Sequence, residues 1–405
     1  MLSSIRFKDF KSFADAEVKF APLTVLVGAN ASGKSNLLDA IRLMQGLGLG
    51  FSLGEAVQGR REAGREVWKG LRGGMAGLIR SGHRQTDLSL KWALEGKEWT
   101  HRLTISTEPQ PLILPESFNT GAEGATAFEV IADGKGGKTA ILGNKYKMPS
   151  AAPPDRSFLY DASFIHSVRT KVQPKNQVIE VEMPKAVRLV HLALQTSVFL
   201  NITPERMRDY SQQQEKELGA EGENLSAVLW KLCFEEGARQ EWVDWLSELC
   251  APELQDLDFI STELGDVMLV LIEKDGTRTP ARSLSDGTLR FLGTLVALRT
   301  APPGSILMLE EPETGLHPQR IHLLVEALES AARERGIQVI ATTHSPQVLQ
   351  SLSPEALKNA VLCARSPDQP GTVLRRFEDL PHFTEVLPRS SIDRLFSTGW
   401  LERAL

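Results

Sequence analysis

The chain has 405 residues, 41% hydrophobic and 24% charged, with 46 Lys plus Arg against 51 Asp plus Glu for a net charge of −5. That length holds about two to three folding units with buried cores, and the three cysteines, Cys233, Cys250 and Cys363, exclude a disulfide scaffold and read as buried reduced thiols. No stretch approaches the ~18 consecutive apolar residues that cross a bilayer, and the first residues alternate instead of forming a signal core, so a cytoplasmic protein without membrane spans is expected.

Leu2 to Phe7 and Ala16 to Phe20 alternate as short strands, and Leu23 to Val27 is an apolar run bounded by Pro22 and Gly28, the pattern of a buried strand. Between that strand and a helical stripe of Leu37, Leu38, Ile41 and Met44 lies Gly28-Ala-Asn-Ala-Ser-Gly33-Lys34-Ser35, which fits G-x-x-x-x-G-K-[ST]. This is the setting a phosphate loop needs. The glycines let backbone N–H groups turn inward around a phosphate, and the helix start adds its positive dipole end. Lys34 is expected to reach the β- and γ-oxygens of ATP, and Ser35 to ligate Mg²⁺. Asn30, Ala31, Ser32 and Asn36 complete the expected nucleotide contacts.

Glycine is frequent from Gly46 to Gly82, where irregular structure or short helices are expected. Inside that stretch, Arg60 to Arg84 carries seven basic and two acidic residues, a net of +5, and reads as a candidate surface for a nucleic-acid backbone. Asp87 to Leu94, Thr100 to Ser106, Phe128 to Ala132 and Thr139 to Leu142 look like antiparallel strands, followed by a loop at Pro149 to Asp155. Val187 to Val198, Leu225 to Cys233 and Trp242 to Leu249 have helical spacing within an acidic region, with a net of −9 between Glu205 and Asp258. The expected division is an N-terminal lobe over 1–170, a helical subdomain over 171–255 and a C-terminal lobe over 256–405.

From Leu284 onward, strands alternate with helices, which implies a parallel sheet. Ser283-Leu284-Ser285-Asp286-Gly287-Thr288-Leu289-Arg290 opens a helix that Ser285 can cap, and Gly287 allows a close backbone approach, so a second anion site is expected at this turn. Ser305 to Leu309 is a buried strand that ends in two adjacent carboxylates. Successive strand side chains point to opposite faces, so the pair divides its roles: Glu310 toward magnesium, Glu311 toward orienting the attacking water. A third strand, Gln338 to Thr342, ends at His344, placed to hydrogen-bond a γ-phosphate.

The order of phosphate loop, LS-x-G-x-x-R segment, strand with two acids and strand-end histidine resembles the ATP-binding-cassette class of P-loop ATPase. Leu23-Thr-Val-Leu-Val-Gly-Ala-Asn-Ala-Ser-Gly-Lys-Ser-Asn-Leu-Leu-Asp39 and Glu310-Glu-Pro-Glu-Thr-Gly-Leu-His-Pro318 resemble its RecF/SMC-like AAA group, relatives of which include the ATPase half of the overcoming-lysogenization-defect nucleases. The segment Phe199 to Arg208, followed by Gly222 to Leu225, is also similar to this group. The resemblance implies an α/β fold of the cassette-ATPase type with an antiparallel β subdomain and a helical insertion. It also implies an ATP-dependent homodimer in which Ser285 and Gly287 contact the nucleotide held by the partner. Gly315-Leu-His317 would be the D-loop equivalent beside the catalytic acids, and Pro318 fits a helix start carrying Ile321, Leu324 and Leu328.

Two departures are visible: Glu310 stands where many cassette ATPases have Asp, and Asp286 where transporters have glycine. A glutamine loop is not placed among the candidates Gln173, Gln177 and Gln195. The function expected is an ATPase of a nucleic-acid-directed complex, in phage defence or in DNA repair and maintenance, with a separately encoded nuclease or Toprim-like effector. The alternative is the ATPase subunit of a membrane transporter. Asp286 and the long insertion between phosphate loop and signature stand against the alternative. An SMC-type tether would need coiled-coil arms that the sequence between Arg169 and Asp258 does not show. A complete nuclease of the lysogenization-defect type would need an Asp-x-Asp cluster after His344, where none occurs.

Overall fold

A computed structural model describes residues 1–120, 126–132, 138–142, 146–149, 169–172, 179–182, 184–215, 217–249, 254–365 and 369–405. Gln173, Gln177, Cys250 and most of the loop expected at Pro149 to Asp155 lie outside the described residues.

The element that positions everything else is a six-stranded sheet in the order Val198–Leu200, Ile306–Glu310, Gln338–Thr343, Leu23–Val27, Val361–Arg365 and Thr372–Arg376. All neighbours are parallel except the last pair. The strands read as nearly continuous apolar runs because both faces are covered. Leu23, Val25, Val27, Leu307, Leu309, Val339, Ala341 and Leu362 enter one core, whereas Leu26, Ile306, Met308, Ile340, Val361 and Cys363 enter the other. This is the period-2 alternation of a strand serving two layers. The first core also takes in the helices Leu225–Phe234, Arg239–Leu249, Asp286–Thr300 and Ile321–Glu334.

On the other side, an eight-stranded antiparallel sheet runs in the order 146–149, 138–142, 126–132, 112–120, 97–106, 85–94, 2–10 and 13–19. The phosphate-loop helix, Lys34–Gly48, has apolar residues in the core shared with this sheet and is buried at 13 of its 15 positions. Its far end meets the helix Lys185–Gln195 so closely that a Cβ at Gly48 would stand 2.7 Å from Leu194.

The strands expected around residues 2–20, 85–106, 126–142 and 305–343 are present, and so are the three middle helices, with ends shifted by a few residues. The stretch from Gly46 to Gly82 holds short helices, as expected, and a hairpin that was not. The first helix continues to Gly48, a short helix Leu53–Gln58 follows with a reciprocal Ser52–Glu55 capping box, and Gly59–Glu62 pairs with Arg65–Lys69 as an exposed hairpin. Strands at Leu112–Thr120, Leu254–Ser261, Val361–Arg365 and Thr372–Arg376 were not among the expected elements. Cys233 and Cys363 are free and buried, as expected, and burial pushes both thiols up to about 12. Among the described residues, no helix is long and apolar enough to cross a membrane.

Candidate functional site

The register of the parallel sheet places Glu310 opposite Thr342, and Thr343 opposite Val27, so the chemistry-bearing residues emerge together at its carboxyl edge. This is the edge at which open α/β sheets bind ligands.

The phosphate loop is bent by local geometry and braced from the far end of the chain. A side chain at Gly28 would place its Cβ 2.1 Å from the carbonyl oxygen of Cys363, and one at Gly33, where φ is +114°, would meet Thr372 at 2.6 Å. Only glycine fits either position. Thr372 donates its hydroxyl to the Ser32 carbonyl at 2.8 Å, and Asn36 Nδ2 donates to Ser12 Oγ at 2.8 Å. Lys34 curls under the loop, its Nζ donating to the carbonyls of Gly28 and Ala29 at 2.7 and 3.0 Å. Burial pushes its ammonium below the ordinary lysine value, while Glu311, Glu313 and Glu310 oppose that shift. Ser32 Oγ is buried without a partner, an orphaned polar atom inside the loop. Such an atom in such a cradle fits an anionic oxygen.

The two acids face different neighbours. Ser35 Oγ donates to Glu310 Oε1 at 2.7 Å, which brings together two hard oxygen ligands. Glu311 sits in the left-handed region at φ +43°, held there by its N–H donating to Thr342 O at 3.1 Å and Thr342 Oγ1 at 3.2 Å. Its Oε1 lies 3.1 Å from His344 Nδ1. Among the described residues, no cluster of three or more His, Cys, Asp or Glu could hold a metal by itself. Ser35 and Glu310 therefore suit a cation that brings most of its own oxygens, as magnesium does on a nucleotide.

The pocket over the loop has a volume of about 610 Å³, within the range of small-molecule sites. Residues 30–36, Glu310, Glu311 and Thr342 line it, together with Arg72, Asn201, Arg290, Thr314 and Arg365, none of which was expected at the nucleotide pocket from sequence. Arg72 belongs to the basic stretch, yet its guanidinium is ion-paired to Glu310 and its charge is held above the ordinary arginine value by that bond. Glu313 is a second omission. Its carboxyl is buried, accepts from the Thr343 hydroxyl, and is pushed up by desolvation, with Thr343 opposing. Thr343 Oγ1 also accepts from Ser345 N at 2.9 Å, which ties the turn carrying His344 to the acid block. A third acid two residues after the Glu310–Glu311 pair, in Glu-Glu-Pro-Glu, was the available signal.

Ser285, Gly287 and His344 do not line this pocket. Ser285 caps its helix by accepting from Thr288 N at 3.1 Å and is exposed. Gly287 is buried: a Cβ there would stand 2.1 Å from the carbonyl oxygen of Gly315. The backbone of Gly315 in the same chain is therefore enough to require glycine at this position. Arg208 holds the turn from behind, donating to Leu284 O at 2.7 Å and pairing with Asp286. Gln195 lies in a different cavity and does not reach the phosphate loop.

Residues 136–350 match the family model described as "AAA domain, putative AbiEii toxin, Type IV TA system", and residues 1–53 match that of the "AAA ATPase domain". The first match alone covers more than half of the chain. The chain belongs to this AAA-domain family. It is 48% identical over 44 residues to the DNA replication and repair protein RecF of Gloeobacter violaceus, which covers 11% of this chain and 12% of RecF. It is 39% identical over 72 residues to the retinal-specific phospholipid-transporting ATPase of Mus musculus, 18% of this chain and 3% of that protein. The chain thus spans about an eighth or less of these relatives' lengths. A solved Smc head bound to the C-terminal winged-helix domain of ScpA superposes over 93% of this chain and 98% of its own, with a TM-score of 0.50 and 11% identity. At that identity, the likeness shows the fold, a P-loop head of the cassette type.

Proposed function

We propose that this ATPase binds and hydrolyses ATP with Mg²⁺ and dimerises head to head on ATP, the phosphate loop of one subunit and the Ser285–Gly287 turn of the other enclosing each nucleotide. The observation that carries the reading is the meeting of Ser35 with Glu310 and of Glu311 with His344 at the edge of one sheet, above Lys34. Gly28, Gly33 and the amides of residues 30–36 cradle the phosphates, and Lys34 leaves its carbonyl partners for the β- and γ-oxygens. Ser35 and Glu310 would hold magnesium, which would supply charge neutralisation at the phosphates when bound. Glu311 orients the water, and His344, 3.1 Å from its Oε1, fixes its carboxylate from outside the pocket.

Ser285 and Gly287 stand outside their own subunit's pocket, as a turn that serves a partner would. ATP with Mg²⁺ is therefore expected to double the mass seen by light scattering, and Ser285→Arg to keep it monomeric while nucleotide binding survives. A mass that ATP does not change would remove the sandwich.

The RecF match and the toxin–antitoxin wording of the family description support a nucleic-acid-directed role, in repair and maintenance or in defence, with a separate effector. Co-purification of the native complex would identify the effector as a nuclease or Toprim protein. The basic stretch is narrower than its charge count. Arg60 is paired with Glu62 at 2.8 Å and stacks over Phe51, Arg80 lies 3.8 Å from Asp9, and Arg72 is turned into the pocket. Arg61, Arg65 and Arg84 are the exposed cations without an assigned ion pair. Replacing these three by Ala is expected to flatten the salt dependence of duplex-DNA binding by up to about 2.7 in log–log slope, near 0.9 per phosphate contact. An anisotropy titration at several salt concentrations checks it, and an unchanged slope would leave the stretch from Arg60 to Arg84 a plain surface.

A further inference from the structure

We infer that Arg72 is a tethered cation that competes with magnesium for the Glu310 carboxylate. The inference rests on the reading of Glu310 as a metal ligand and adds a residue to that site.

Both oxygens of Glu310 are engaged. Oε1 accepts from Ser35, the other expected metal ligand, and Oε2 takes the Arg72 guanidinium, whose nearest acid in sequence is Glu66 and whose partner is 238 residues away. The two oxygens carry a single negative charge between them, and a divalent metal at Ser35 and Oε1 would repel a guanidinium held on Oε2 of the same carboxylate, so each cation weakens the hold of the other. Arg72 is free to withdraw because half of its side chain is exposed, whereas that of Glu310 is 16% exposed and stays in place.

The contact is built from below. Lys11 Nζ donates to the Arg72 carbonyl at 2.6 Å while paired with Asp39 at 2.8 Å. Arg42 donates to the Lys69 carbonyl at 2.6 Å, with its guanidinium 4.3 Å from the centre of the Phe199 ring. The side chains of Lys11, Asp39 and Arg42 are almost wholly buried. Placing charged groups in a protein interior is costly unless they are paired and hydrogen-bonded, and here two of them are bound to backbone carbonyls at and just before Arg72. Their effect is to fix where the Arg72 backbone sits while its side chain reaches Glu310. Gly73 and Gly74, at φ +79° and +55°, turn the chain away immediately afterwards. A surface arginine that met Glu310 by chance would need none of this support.

The sign of the effect separates three roles. A competitor, once removed, leaves the metal more tightly bound. A residue that only steadies Glu310 would leave it less tightly bound, and a phosphate ligand would lower nucleotide affinity at every metal concentration. Mn²⁺ titrations followed by electron paramagnetic resonance, with ADP present, read this without turnover. Arg72→Gln is expected to lower the Mn²⁺ midpoint about fivefold, the order of a partly exposed ion pair, and Arg72→Met to do the same, while Arg72→Lys shifts it less. Arg72 is exposed enough that the fold should tolerate all three, which circular dichroism melts would verify. An unchanged or weakened Mn²⁺ midpoint in both uncharged variants, with the parent binding Mn²⁺ and ADP normally, would overturn the competition and leave the site reading intact. A parent that binds no Mn²⁺ with ADP would overturn both.

Discussion

Lys34→Ala is expected to remove nucleotide binding, weakening ATP by about a hundredfold or more in isothermal titration. In the structure, the ammonium is buried and donates to two loop carbonyls, Gly28 and Ala29, so it is already positioned inside the curl that would surround a phosphate. Hydrogen bonds from a charged donor are worth about 1.5–3 kcal/mol each, and the β- and γ-oxygens together take more than one. Alanine also leaves the two carbonyls without their donor, so a lower melting temperature of the nucleotide-free protein should accompany the loss. ATP bound with parental affinity by Lys34→Ala would place the phosphates elsewhere, because no other lysine lines the pocket among the described residues.

Glu311→Gln should do the opposite to binding. The amide is isosteric and can keep a hydrogen bond to His344, and the left-handed backbone at 311 is held by Thr342 whatever the side chain. What is lost is the charge that orients and accepts a proton from water, worth about 10²–10⁴ in rate for a general base. A steady-state turnover assay should therefore fall by at least about a hundredfold while ATP remains bound, and the dimer should persist longest in this variant by light scattering. Parental turnover would move the base to another residue, with His344 the nearest candidate.

The two halves of this site were legible to different degrees. Local chemistry announced the phosphate loop: a fixed spacing of glycines, lysine and serine after an apolar run. The acid pair and the strand-end histidine were readable for the same reason, since each is the last word of a buried strand. Arg72 was visible only as one charge in a basic stretch, because its partner is 238 residues away and nothing in either neighbourhood encodes the meeting. The hairpin 59–69 escaped because its strands, Gly-Arg-Arg-Glu and Arg-Glu-Val-Trp-Lys, are mostly exposed and polar, so no buried face imposes a period. Leu112–Thr120 was hidden by Pro115, which demotes a strand pattern. The need for glycine at 287 comes from Gly315, a tertiary neighbour that no local pattern reveals.

The central strand of the parallel sheet has a consequence for how the protein is made. Leu23–Val27 pairs on one side with Gln338–Thr343 and on the other with Val361–Arg365. During synthesis, it therefore emerges with neither neighbour in existence. At roughly 5–20 residues per second, the ribosome needs on the order of 15–60 s to reach the first of them. For that interval an apolar five-residue segment, with the phosphate loop attached, has no sheet to join. Long-range parallel pairing of this kind is slow to form and prone to aggregation while it waits. The nucleotide site is thus among the last parts of the chain to be assembled, and a ribosome-bound fragment ending before Gln338 should be held by chaperones or bind hydrophobic dye, however complete its phosphate-loop sequence.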